Sequence, residues 1–162
     1  MTRTFSPAGF AAFLRARPQA IAAARRKALD TGSMLILETA KGKIGEYQPA
    51  AGPFAAWAPL AETTLEGWDS PWGVHFPGKI ELGYAPPDNP LLRTGELRNS
   101  INRAIFGNGA AAVGSDSPIA VWQELGTERI PARSFLGAAA FEMEHHLHDM
   151  AGKALVAALM GK

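Results

Sequence analysis

Cysteine is absent from all 162 residues, so a disulfide framework, a thiol nucleophile and every thiolate metal site are closed to this chain. Either redox environment suits a cysteine-free protein, and compartment stays open on that count. Long apolar runs are missing too: the hydrophobic residues come in short groups broken by charge or glycine, well below the roughly 18 in succession that a membrane span needs. No membrane partner is therefore expected. Acidic residues are missing from the start, where Arg3, Arg15, Arg17, Arg25, Arg26 and Lys27 all precede Asp30. Residues 30–162 then hold 10 of the 16 Lys and Arg and all 15 Asp and Glu, a formal charge of −5 in a chain whose total is +1. An Arg- and Ala-rich start without acid resembles a transit peptide, but the helical pattern runs past Asp30, and the segment reads as part of the fold.

Two catalytic signatures are also lacking. Gly107, Gly109 and Gly114 fall on a turn and a strand end without the Lys and Ser or Thr of a phosphate-binding loop. Ser100, Ser115, Ser117 and Ser134 stand outside any nucleophile-elbow pattern. The chain is expected not to be an enzyme, and no cofactor is implied.

What is present suits one domain over residues 1–162, since 47% hydrophobic content can bury a core without metal or disulfide staples. Ser6 and Pro7 open a long amphipathic helix marked by Phe10, Phe13, Leu14, Ile21, Ala24, Ala28 and Leu35. Pro18 should kink or divide it, Gly32 should weaken it, and it should reach about Lys41. Residues 42–90 hold eight prolines and three of the four tryptophans and read as a long irregular loop insertion, with a helical turn in 59–66 and a short strand in 79–84. Thr94 caps a turn leading to a strand over 100–106, with Ile101, Arg103 and Ile105 on one side. Asn108 and Gly109 turn the chain into a returning strand from Ala110 to Val113. Ser117 and Pro118 open another helix with Ile119, Trp122 and Leu125 as its apolar stripe and Gly126 as its stop. A final helix runs from about Gly137 to Met160, its Ala140, Met143, Leu147, Met150, Ala154 and Ala158 broad enough to cover one face of a sheet. The fold expected is α+β: a small antiparallel sheet packed against a long N-terminal helix and a C-terminal helix, with the Pro- and Trp-rich loop between.

Metal-ligand types gather once, at Glu142, Glu144, His145, His146, His148 and Asp149. Carboxylate-bridged centres in helical bundles need Glu-x-x-His twice, on facing helices, and the chain has it only at Glu142 and His145. A solvated helix face explains the cluster, leaving a metal-dependent hydrolase centred on His145, His146, His148 and Asp149 as the enzymatic alternative. His75 reads as a loop hydrogen-bonder. The cations Arg15, Arg17, Arg25, Arg26 and Lys27 would draw phosphate without regard to sequence, or an acidic protein partner, which keeps a nucleic-acid binder as a third class.

Two motifs carry a resemblance. LLRTGELRNSI, from Leu91 to Ile101, and VGSDSPIAVWQELGTERIPARSFLG, from Val113 to Gly137, are similar in order and spacing to the phage virion-morphogenesis and tail-completion family, with WAPLAETTL from Trp57 to Leu65 as a weaker third point. Trp122-Gln123 and Ser134 depart from the residues common there. The resemblance covers about a quarter of the chain and implies a structural subunit forming a homo-oligomeric ring, of six copies, at the tail's junction with the head. It implies tail-tube and head-connector proteins as partners, non-specific contact with DNA in the channel, and a place in the virion neck after assembly in the bacterial cytoplasm. Trp57, Trp72, Trp122, Arg129, Arg133 and Phe135 are the expected contact residues, Arg129 and Arg133 offering planar guanidinium groups to carboxylates, either of a neighbour or of Glu124 and Glu128 in the same chain.

Overall fold

The computed structural model of the protein describes residues 4–84, 86–107 and 109–161; Arg3 and Asn108, both used in the expectations above, lie outside them. Helix α1 spans Pro7–Arg15 and α2 spans Pro18–Lys43. Ser6 caps α1, its hydroxyl accepting the Gly9 N–H at 3.1 Å. Pro18 divides the two helices, as its chemistry demands: Arg17, the residue before it, leaves the helical region (φ −127°, ψ 23°), and Pro18 starts α2 at a position where no N–H is needed.

Helix α6, Leu136–Met160, runs antiparallel beside α2. Arg17 meets Gly161 just beyond the end of α6, Gly32 meets Leu147 and Met150, and Lys43 meets Glu142. Gly32 eases the close approach: a Cβ there would stand 3.0 Å from Leu147 Cδ2, a tight contact that the Leu147 side chain would have to yield to, so the residue that weakens an isolated helix makes room for this neighbour. The middle of the α6 stripe is thus spent on a helix rather than a sheet face.

The sheet expected after residue 100 is a hairpin of β3 (Ile101–Phe106) and β4 (Ala110–Ser115), paired Ile101 to Ser115 through Phe106 to Ala110. It packs on α2. Ile101 is fully buried and Arg103, two residues on, reaches Asp30 at 2.7 Å and the Ser33 hydroxyl at 3.1 Å. The short helix before β3, α4 (Glu96–Ser100), begins at Gly95 in the left-handed region (φ 85°). Thr94 is therefore not its cap; its hydroxyl accepts the Glu96 N–H at a long 3.4 Å.

Between α2 and α4, the loop contains α3 (Glu62–Leu65) and a second hairpin of β1 (Gly67–Asp69) with β2 (His75–Pro77). Residues 79–84 are not the expected strand. Backbone bonds from Leu82 to Gly78, Gly83 to Ile80 and Tyr84 to Lys79, each of 3.0 Å, wind them into a turn. The buried Lys79 ammonium anchors that turn on the carbonyls of Asn89 (2.6 Å) and Leu92 (3.0 Å), and its burial lowers its pKa.

Helix α5 (Pro118–Leu125) follows β4 and stops at Gly126. Its orientation reverses expectation: Ala120 is buried, whereas Ile119, Trp122 and Leu125 face outward, Leu125 with 75% of its surface open. The core joins Ala40, Ile44, Trp57, Ile101, Ala120, Phe135 and Ala139, one patch where the ends of α2 and α6 meet α5, β3 and the returning loop.

Candidate assembly interface

Both family-like segments fold around one junction. Ser100, at the end of the first, shares a 2.6 Å hydroxyl bond with Ser115 in the second, and the Ser115 oxygen also accepts the Ser117 N–H at the start of α5 (3.0 Å). Helix α5 then sends Glu124 back to the start of α6. Its carboxylate accepts the N–H groups of Phe135 (2.8 Å), Leu136 (2.9 Å) and Gly137 (2.8 Å), and the Ser134 hydroxyl donates to it. A helix start presents unsatisfied N–H groups and partial positive charge, and a carboxylate supplied from another element answers both.

Residues 127–130 close a tight turn between these helices. The Thr127 hydroxyl accepts from Arg129 (3.3 Å) and Ile130 (3.1 Å), while the Thr127 N–H donates to the Ile130 carbonyl (2.8 Å). This leaves Arg129 exposed at the turn's tip. Arg133 goes the other way. Only 5% exposed, it donates to the carbonyls of Ala58 (3.0 and 3.3 Å) and Pro59 (3.1 Å), and burial lowers its pKa, opposed by Tyr47. Its partners are backbone carbonyls of the long loop, and not Glu124 or Glu128.

Three of the expected contact residues are thus interior. Trp57 is 6% exposed and donates its indole N–H to the Ser134 carbonyl at 3.2 Å; Phe135 is fully buried, and Arg133 is the strut just described. A side chain packed on all sides cannot meet a second chain, so these three hold the loop onto the junction. Trp72, 85% exposed at the tip of the β1–β2 hairpin, Trp122, half exposed on α5, and Arg129 remain at the surface. Trp122 and Arg129 flank the same junction, while Trp72 sits on a separate element. Loop, turn and both segments surround a cleft of about 1000 Å³ whose walls include Thr64, Trp68, Arg93, Ile119, Arg129 and Ile130.

The five early cations do not form one stripe. Arg17 lies over the Phe13 ring at 4.5 Å, and Arg25 donates to the Gly109 carbonyl at 2.9 Å, bracing the β3–β4 turn. Arg15, Arg26 and Lys27 are exposed. On α6, Glu142 pairs with Lys43 (2.6 Å) and Asp149 with Lys153 (2.6 Å). His145, His146 and His148 are exposed, and among the described residues no three His, Asp or Glu side chains converge as a metal site would require. His75 is the loop hydrogen-bonder expected, placed between Asp69 and Glu81 at 2.8 Å each.

Sequence reasoning missed the roles of Glu124, Lys43 and Lys79. Glu124 bonds residues at least 10 positions away, Lys79 bonds main-chain oxygens of the next loop segment, and Lys43 reaches Glu142, 99 positions on, besides the nearby Gln48; no local pattern announces the distant partners. Among the described residues, no helix is long and apolar enough to cross a membrane. No family model, curated protein or solved structure matches the chain.

Proposed function

We propose that the chain is a structural subunit of a phage or prophage particle, one that completes the tail at its junction with the head by closing into a ring, of six copies by the family resemblance. The observation that carries an assembly role is surface area. The protein exposes 10860 Å², whereas a folded monomer of 17.2 kDa is expected to expose about 7,800 Å². A subunit gripping two neighbours covers roughly 800 Å² in each contact, so an excess of about 3,000 Å² accommodates both contacts and further partners.

The character of that surface favours protein partners. Ile119, Val121, Trp122 and Leu125 cover the outside of α5, and Trp68, Trp72, Val74 and Phe76 cover the loop hairpin. Contiguous apolar patches of this kind mark interaction sites. Head-to-tail contacts between unlike faces close into rings when the rotation allows, and the outside of α5 and the loop hairpin are two such unlike surfaces. The resemblance of Leu91–Ile101 and Val113–Gly137 supports the tail-completion identity; tail-tube and head-connector proteins are the partners this implies, with DNA passing close to Arg15, Arg26 and Lys27.

Disruption of the gene in a phage or inducible prophage that encodes it tests this directly. Electron microscopy of the lysate should show filled heads and separate tails, with joining restored by the intact gene supplied in trans. Joined, infectious particles in the disrupted lysate would refute it.

A further inference from the structure

We infer that the cleft between the loop hairpin and α5 holds a short extended peptide segment of a partner protein, one with carboxylate side chains beside apolar ones. Its volume of about 1000 Å³ lies at the upper end of the range for preformed binding sites, room for a short segment rather than a folded face. Trp68 and Phe76 stack in one wall at 5.0 Å, their planes 10° apart, and Ile119 stands in the α5 wall. All three are half-exposed. Preordered aromatic and aliphatic surface of this kind receives an apolar side chain.

Charge decides what accompanies that side chain. Among the described charged residues of the walls, Lys79, Arg93, Arg129 and Arg133 are cations and Glu96 is the single acid. None of the four cations is paired with a described carboxylate. Lys79 and Arg133 are buried on backbone carbonyls, and Arg129 is exposed at the tip of its turn. Arg93 donates from Nε to the Tyr84 hydroxyl at 3.3 Å, which braces it and leaves its two Nη groups for a bidentate carboxylate. Gln123, in the α5 wall, has a buried Oε1 with no hydrogen-bond partner among the described residues. An acceptor left open at such a site is one that a main-chain N–H of the segment satisfies.

A short acidic segment fits better than nucleic acid. Residues 30–162 carry a formal charge of −5, so the body around the cleft repels a long polyanion, while a few carboxylates need only the local cations. Arginine groups that read acidic motifs are an established recognition mode. Leu91, also in the wall, holds φ at 60°, the one positive value outside glycine among the described residues, and strained backbone of this kind recurs at ligand clamps. That the segment belongs to a neighbouring particle protein rests on the assembly reading above; the chemistry of the cleft does not. A ring presenting one cleft per copy would turn a weak contact into a firm one.

Fluorescence anisotropy on the full chain tests it with two pools of fluorescein-labelled hexapeptides. One pool alternates Asp or Glu with Leu, Phe or Trp; the other carries Lys or Arg in place of the acids. The unaltered chain should bind the acidic pool tighter than the basic pool by about tenfold or more. Arg93→Glu/Arg129→Glu, its fold verified by circular dichroism, should reverse that order, and Arg129→Glu alone gives the reading if the double variant does not fold. Lys153→Glu, on α6 and outside the cleft, should leave both affinities within about twofold. If neither pool binds, if the order survives the arginine changes, or if Lys153→Glu weakens the acidic pool as much as they do, the cleft does not read acidic peptide and the inference is wrong. Labelled hexathymidylate binding tighter than the acidic pool assigns the cleft to nucleic acid and equally overturns it. If the acidic pool binds as expected but joined particles survive gene disruption, the peptide site stands and tail completion falls.

Discussion

Glu124 of α5 holds the Gly137 N–H at 2.8 Å, so the start of the longest C-terminal element is tied by a side chain from the helix before it. Three main-chain donors and the Ser134 hydroxyl converge on that carboxylate. Glu124→Gln keeps the shape but replaces one acceptor oxygen with a donor and removes the charge. Charge-assisted bonds contribute about 1.5–3 kcal/mol each to partly buried groups, and a cap alone about 1 kcal/mol. A loss of about 2–3 kcal/mol in urea unfolding is expected, with an unchanged slope. A midpoint equal to that of the unaltered chain would mean the cap carries no weight.

Arg133 separates a structural from an interfacial role. Removing it takes away the buried guanidinium that ties the partly buried Ala58 and Pro59 carbonyls to the junction, and a buried group left unpaired costs about 1–3 kcal/mol. Arg133→Ala should therefore destabilise the chain by about 2–4 kcal/mol, and by the same amount at low and at high protein concentration. A deficit appearing only where copies associate would return the residue to the subunit interface expected from sequence.

His75 predicts a local pH dependence. Hydrogen bonds first to Glu81 and then to Asp69 raise its pKa above the ordinary value near 6.5, because only the doubly protonated ring can donate to both carboxylates. A raised folded-state pKa means that the stabilisation is complete below about 6.5 and is lost as pH climbs through the folded value. An NMR titration should place the His75 midpoint above 6.5, and Glu81→Gln should move it down. Midpoints that coincide in the two proteins would show that the bridge is not formed in solution.

The long helices were legible because their signals are local: Ser6-Pro7, Pro18 and the 3.6-residue spacing of apolar positions act within a turn or two. The β3–β4 hairpin was legible for the same reason, from alternation around a Gly109 turn. The β1–β2 hairpin was not. Its strands have three residues each, too few for a period, and it stands on the Trp68–Phe76 stack (5.0 Å) and on the contact of Gly78 with Gly67. In α5, spacing identified the apolar stripe but could not say whether it faces core or partner. The small Ala120 took the inside because Phe135 and Trp57 already fill the junction.

Gly78 is the tightest point of that hairpin. A Cβ there would lie 2.3 Å from the Gly67 nitrogen and the Leu65 carbonyl oxygen, both backbone atoms that no rotamer change can clear. Gly78→Ala should force the strands apart and break the Trp68–Phe76 stack, at about 1–3 kcal/mol as for other overpacked sites. Near-ultraviolet circular dichroism reads it, since the aromatic signal should fall while the helical far-ultraviolet signal holds. An unchanged aromatic band would place the hairpin elsewhere.

Two tryptophans give opposite outcomes if the outside of α5 meets another chain. Trp57 is packed in the core and hydrogen-bonded to Ser134, so Trp57→Ala should cost about 3–5 kcal/mol of folding stability. Trp122 is half exposed and next to the equally open Val121 and Ile119, so Trp122→Ala should leave the unfolding midpoint of dilute protein within about 0.5 kcal/mol. Its effect belongs to association, where loss of a buried aromatic anchor costs about 2 kcal/mol, a shift of roughly 30-fold in the concentration at which copies or tail components assemble. Sedimentation of the variant with its tail partners measures that shift. Equal assembly by the unaltered and Trp122→Ala chains would remove α5 from the interface, while leaving the fold as described.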